Sequence, residues 1–252
     1  MVRERFWEID ALRGIAVVAM VLYHFSYDLA FFGLFDVGFF RSGLGLNTGR
    51  LIGGSFIFLA GISLTLSYAR VTASQPSGEK LFRKYFSRGL RIFSYGLVIT
   101  LLTWIFLPNE MIVFGILHLI GASIILAYPL LKYRLANLFL GLCFIAAGWY
   151  MRAQEVSSES AWLLPLGVVP ENLLMPDYRP LLPWFGVVLL GLFAGNVLYG
   201  GGKRPVGVPR MVPPVARPLV PLGRNSLIIY LVHQPILIAL LGALGVIEIG
   251  GL

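Results

Sequence analysis

Apolar runs close to the ~20 residues that cross a bilayer's hydrocarbon recur seven times along this chain, parted by polar, basic or Gly/Pro-rich stretches. They cover 10–33, 50–69, 89–107, 111–130, 134–151, 181–199 and 222–246. The fourth and fifth are short and separated only by Lys132, Tyr133 and Arg134. The pattern predicts an all-α polytopic membrane helix bundle of about seven transmembrane helices, as a single domain over 1–252 with no internal repeat. The first run is the exception in its polarity. DALRGIAVVAMVLYHFSYDLAFFG carries Asp10, Arg13, His24 and Asp28. At ~100° per residue Arg13 and His24 fall on one face, about three turns and ~16 Å apart. Asp10 lies just before Arg13 and Asp28 one turn beyond His24, so the four form one polar stripe. Ionisable groups at membrane depth are costly and mark a functional interior by default.

Composition strengthens the membrane reading. The chain is 58% hydrophobic and 13% charged, with a mean hydropathy of +0.82, where a soluble domain carries about 25% charged residues. No cleavable signal is evident, and the first apolar run is too long for a signal-peptide core. The net charge of +8 invites a nucleic-acid partner, but no soluble domain is left to host one. The basic residues instead gather at the ends of the runs. With the N-terminus cytoplasmic, only Arg41, Arg50, Arg152 and Arg179 fall on the outer side. The positive-inside rule thus predicts N-terminus in and C-terminus out, in the cell membrane.

The connecting stretches add expectations of their own. Segment 34–49 reads as an outer interfacial or re-entrant loop, and 152–180, with Glu155, Glu159, Glu171 and Asp177, as the longest and most acidic outer loop. The Gly/Pro-punctuated, basic stretch 200–221 reads as a mobile cytoplasmic linker. Gly49, Gly53, Gly54 and Gly61, and again Gly191 and Gly195, are spaced for close helix approach. Cys143 sits in an apolar run and reads as a buried, inert thiol. Lys80, Arg83, Lys84, Arg88 and Arg91 lie near the start of the third helix. They serve topology and headgroup attraction, or form a phosphate-binding wall, since Arg and Lys are the natural partners of phosphate.

Each of the three histidines, His24, His118 and His233, falls within a predicted span at a similar depth. They line a common polar cavity or each satisfy a local buried contact. His24 and Asp28 resemble half a metal site, but no HExxH or second-helix acid joins them, so no metal is expected. A neutral His backed by a carboxylate suits a general base. His24 with Asp28 is therefore the catalytic expectation, with His118 and His233 as further candidates. Chemistry on a substrate and proton-coupled transport through a histidine-lined path both remain open at this point, as does a non-catalytic assembly or lipid-binding role.

EIDALRGIAVVAMVLYH followed by FSYDL, together with FIFLAGISLTLS, VFGILHLIG and LGRNSLIIYLVHQPI, resembles the membrane proteins related to heparan-alpha-glucosaminide N-acetyltransferase. Arg13, ten intervening residues and His24 are also similar to the Arg-x10-His pattern of the membrane acyltransferase-3 group. The resemblance implies transmembrane acyl transfer from cytosolic acetyl-CoA to an amino or hydroxy sugar on the far side. Relatives with a catalytic His in the first outer loop find no counterpart in 34–49, which leaves His24 as the base. Arg13, oriented by Asp10 and helped by Arg88 and Arg91, would hold the CoA phosphates. Asn225, Ser226 and Tyr230 would line the donor or acceptor. The partners expected are thus acetyl-CoA, the sugar acceptor and the lipid bilayer, with no nucleic acid and a homodimer as an option.

Overall fold

In the computed structural model, residues 5–73, 78–108, 111–158, 160–170 and 177–246 are described. The described residues form helices, with one isolated bridge between Ser157 and Val169. The helices are α1 (Trp7–Phe31), α2 (Gly38–Arg41), α3 (Gly43–Thr72), α4 (Gly78–Phe106), α5 (Ile116–Leu126), α6 (Arg134–Ala153), α7 (Leu181–Leu198), α8 (Leu219–Arg224) and α9 (Ser226–Ala243). Six of them (α1, α3, α4, α6, α7 and α9) are long and apolar enough to cross a membrane, so the chain is a polytopic helical membrane protein.

The differences from the expected spans have local causes. The run 111–130 contains only an eleven-residue helix, α5, about 16 Å long and half a hydrocarbon thickness. Its start waits for Gly115, and Pro129 lies in the 3₁₀ turn Tyr128–Leu130 that follows it. Helix α3 begins seven residues before the expected 50 because the Ser42 hydroxyl accepts the Gly45 N–H at 3.2 Å, an N-cap bond. Much of the expected outer loop 34–49 is therefore helical. The run 222–246 is split at Asn225, which closes α8 and opens α9 with φ −102° and ψ 16°. Glu159 and Glu171 lie outside the described residues.

The chain divides into two compact units. The first comprises Met1–Phe56 and Val206–Leu252, the second Ile57–Pro205. In the first unit α8 lies against the start of α1 with almost no side chain between them. A Cβ on Gly14 would overlap the Leu219 carbonyl, and one on Gly223 would overlap the Asp10 carbonyl. Ala11, Ala216 and Val220 are buried together there, with Trp7, Val212 and Leu219 packed around them. The Trp7 indole donates to the Pro209 carbonyl at 2.9 Å. The stretch expected to be a mobile linker is thus anchored to α1 through much of its second half.

In the second unit lipid offers no hydrophobic drive between helices, so close approach and polar bonds hold them. Gly61 of α3 and Gly191 of α7 meet in this way, each leaving no room for a Cβ. One turn on, the Thr65 hydroxyl donates to the Leu192 carbonyl across the same seam at 3.2 Å. Helix α4 turns Leu97, Leu101, Trp104 and Ile105 outward, as a lipid-facing side does. The same applies to Cys143, which is exposed on α6 rather than buried. Its apolar neighbours Phe139, Leu140 and Leu142 are exposed too. The apolar run around it faces lipid, not a core.

Candidate active site

The first unit gathers most of the expected site residues. At one end of the stripe Asp10 is buried to 5% exposure. Its Oδ1 accepts Arg13 Nη1 at 3.2 Å, and its Oδ2 faces Arg224 Nε at 3.3 Å and Arg5 Nε at 3.6 Å. Arg13 Nη1 also donates to the Gly223 carbonyl at 3.3 Å. That bond depends on the bare glycine, because any side chain at Gly223 would push α8 away. One carboxylate thus gathers three guanidinium groups. Arg5 and Arg224 keep much of their surface open, at 61% and 43% side-chain exposure. This is the arrangement that receives a polyanion, with planar forks already oriented.

Fourteen residues further along α1, about 21 Å by helical rise, lies the second cluster. Two consecutive residues of α9 meet two residues of α1 one turn apart. His24 Nδ1 stands 3.3 Å from His233 Nε2, with ring centroids 4.9 Å apart. Gln234 Nε2 donates to Asp28 Oδ1 at 2.7 Å. Asp28, expected to orient His24, therefore has its hydrogen bond to Gln234, and His233 stands where that partner was expected. The carboxylate at i+4 is turned toward α9, which supplies the donor its burial requires. Asp28 Oδ2 and Gln234 Oε1 are buried without hydrogen-bond partners. Tyr23 packs its edge on His24 at 5.9 Å and donates its hydroxyl to the Gly45 carbonyl at 3.2 Å. The start of α3 is thereby tied beside the imidazole.

Of the remaining candidates, Asn225 uses its amide on the Pro221 carbonyl at 2.9 Å and Ser226 opens α9. Tyr230 lends its carbonyl to His233 Nδ1 at 2.7 Å. His118, Arg88 and Arg91 belong to the second unit. His118 is 1% exposed, and both ring nitrogens are engaged. Nδ1 accepts the Gly115 N–H at 3.2 Å, and Nε2 faces the Thr100 hydroxyl at 3.4 Å. That hydroxyl donates onward to the Ile112 carbonyl at 2.6 Å. With Asp177 Oδ2 accepting the Ile116 N–H at 3.2 Å, His118 acts as a cap for α5. Arg88 and Arg91 are exposed on α4, and Arg88 Nη1 reaches Ser67 Oγ at 3.5 Å. Among the described residues, no group of three His, Cys, Asp or Glu converges to hold a metal.

Sequence reasoning about the site missed Arg5, Arg224, Gly223 and Gln234. Arg224 and Gly223 stood inside the string LGRNS, and Gln234 directly follows His233.

Six membrane-length helices, with two carboxylates buried on α1 and an imidazole buried on α9, define a multi-pass membrane protein with a polar interior face. The family model described as heparan-alpha-glucosaminide N-acetyltransferase, catalytic, matches residues 5–235. The chain belongs to this family, which makes it a transmembrane acetyltransferase by descent. No curated protein matches it, and no solved structure does.

Proposed function

We propose that the protein moves an acetyl group from cytosolic acetyl-CoA to an amino or hydroxy sugar beyond the membrane, with His24 as general base. The single observation that carries this reading is the pairing on α1 of a guanidinium cluster with an imidazole dyad. The CoA phosphates would lie on Arg5, Arg13 and Arg224, with Asp10 orienting the forks. The pantetheine arm would then run along α1 and bring the thioester to His24. The acceptor nitrogen or oxygen attacks the thioester carbonyl while His24 takes its proton. As the new C–N or C–O bond forms, the C–S bond breaks. The CoA thiolate then receives that proton, which restores neutral His24. A low-exposure pair such as Asp28 and Gln234 suits the acceptor end.

The cationic residues bounding the spans support a cytoplasmic N-terminus, which puts the Arg13 end of α1 on the donor's side. A proton-coupled transporter would also put histidines at membrane depth. The three-cation cluster favours transfer, because a proton path has no use for a phosphate-sized site. Incubating the detergent-solubilised protein with labelled acetyl-CoA and a panel of amino and hydroxy sugars tests the reading. Saturable donor binding with label transferred to a sugar is expected. No CoA binding at micromolar concentrations, with solute flux in liposomes, overturns it.

A further inference from the structure

The reading of His24 as a base leaves open which of its nitrogens is basic, and the contacts on α9 bear directly on this. A backbone carbonyl can only accept, so His233 Nδ1, 2.7 Å from the Tyr230 carbonyl, must carry a hydrogen. In a neutral ring with Nδ1 protonated, Nε2 holds the lone pair. His233 Nε2 therefore accepts, and the group it faces at 3.3 Å, His24 Nδ1, must be the N–H. The second lone pair of the chain then falls on His24 Nε2. One carbonyl on α9 thus determines, through two imidazoles, which atom of α1 is basic.

We propose that His233 is a positioning residue that holds His24 in its Nδ1–H tautomer, so that Nε2 is the atom that takes the acceptor's proton. This rests on the acetyl-transfer reading for its consequence, not for its geometry. Free imidazole side chains favour the opposite, Nε2–H form, so His24 needs such a partner to present Nε2 as a base. When His24 Nε2 gains a proton, the ring becomes an imidazolium. Its Nδ1–H bond to His233 turns charge-assisted and strengthens, while the His233 Nδ1–H stays on the Tyr230 carbonyl. No proton leaves the pair by this route. The neighbouring contact between Gln234 and Asp28 at 2.7 Å keeps α9 in register, so that His233 meets His24 and not the residue a turn away. An imidazole here replaces the carboxylate that commonly backs a catalytic histidine. It provides the acceptor without burying a second negative charge beside Asp28.

The test uses the full chain in detergent, labelled with ¹⁵N-histidine, and assigns its three histidines with single His→Gln variants. At neutral pH His24 and His233 are expected as Nδ1–H forms. His118, whose Nδ1 accepts the Gly115 N–H, is expected as the Nε2–H form. Turnover is then compared in three variants. His233→Gln reaches as far as the ring Nε2 and can offer its Oε1 to His24, so it should keep kcat within about tenfold. His233→Asn keeps the donor to Tyr230 but is too short to reach His24. His233→Leu loses both contacts. These two should lose ~10²-fold or more in kcat, the size of effect seen when a base is left in the wrong tautomer, with KM for acetyl-CoA nearly unchanged. His24 found in the Nε2–H form overturns the proposal. So does a folded His233→Leu with near-parental kcat, or a His233→Gln as slow as His233→Asn. The tautomers are read without turnover. A protein that transfers no acetyl group therefore overturns the proposed function while leaving the tautomer assignment standing.

Discussion

Replacing Gly223 by alanine tests whether the guanidinium cluster depends on backbone contact between α1 and α8. The added Cβ would stand 2.9 Å from the Gly14 nitrogen and closer still to the Asp10 carbonyl, whereas real Cβ contacts tighter than 3.4 Å are scarce. Neither obstacle is the end of a flexible side chain, so the helices themselves must part by roughly 1.5 Å. That separation stretches the bond from Arg13 to the Gly223 carbonyl, now 3.3 Å, and the pair Arg224–Asp10, also 3.3 Å, to more than ~4 Å. Overpacking costs about 1–3 kcal/mol, and a hydrogen bond to a charged group about 1.5–3 when lost outright. Because Arg224 is 43% exposed at its side chain, water replaces much of its bond, and a net cost of about 2–4 kcal/mol follows. For a chain of this size that is a fall of roughly 5–10 °C in Tm, read by thermal unfolding in detergent. Acetyl-CoA affinity, measured by calorimetry on the folded variant, should weaken by about tenfold or more. Gly43→Ala is the control: nothing lies within 4 Å of its Cβ, so Tm should hold or rise slightly. A Gly223→Ala protein with parental Tm and donor affinity would refute the close-contact account.

Four further outcomes follow from the structure. Arg13→Lys keeps the charge but loses the planar guanidinium whose Nη1 bonds both Asp10 and the Gly223 carbonyl, so donor Kd should rise by about tenfold and Tm should fall by a few degrees; equal affinity would remove Arg13 from the donor site. Thr65→Val keeps the shape but deletes the bond to the Leu192 carbonyl, which should cost about 0.6–2 kcal/mol in thermal unfolding; no loss would mean that the seam is held by glycine contact alone. His118→Ala should lower Tm by uncapping α5 at a cost of about 1–3 kcal/mol, while folded protein keeps kcat; loss of kcat at full stability would make it more than a cap. Burial pushes the Tyr178 phenol above its ordinary value, and its hydroxyl donates to the Leu164 carbonyl. Its contribution should be full below pH ~10 and fade as pH rises through the folded-state value, because the unfolded chain releases that proton first. The difference in Tm between parent and Tyr178→Phe should therefore shrink in strong alkali; a constant difference would refute it.

The membrane character and most spans were legible because hydropathy over a whole helix averages out local detail. Boundaries were not, since they depend on single caps. Ser42 stands ahead of Gly43 like an ordinary N-cap, yet the glycine and aromatic content around it suggested a loop. The polar stripe on α1 was legible from helical period alone. Its partners were not, because period shows which face a residue occupies but not what meets it. Asp28 at i+4 from His24 looked like a dyad within one helix, and only packing reveals that α9 supplies Gln234 to one and His233 to the other. Arg5 and Arg224 were read as orientation signals, a role that residues of any ligand site near a membrane surface also fill. Cys143 was misplaced for a related reason: an apolar run in a membrane protein faces lipid as readily as it faces a core.

The partners of the α1 stripe lie far along the chain, Gln234 at 206 residues from Asp28 and Arg224 at 214 from Asp10. Synthesis at about 5–20 residues per second separates the emergence of these partners by roughly 10–40 s. Throughout that interval α1 is in or near the bilayer with two carboxylates and an imidazole whose contacts to α8 and α9 do not yet exist. Nascent α1 therefore needs temporary shelter, from water in the insertion channel or from a chaperone with polar membrane surface. Chains released before α8 and α9 are made expose a charged helix to lipid and become substrates for membrane quality control. Chains truncated between residues 206 and 219 and released should accordingly be protease-sensitive, and released chains that extend beyond 243 resistant.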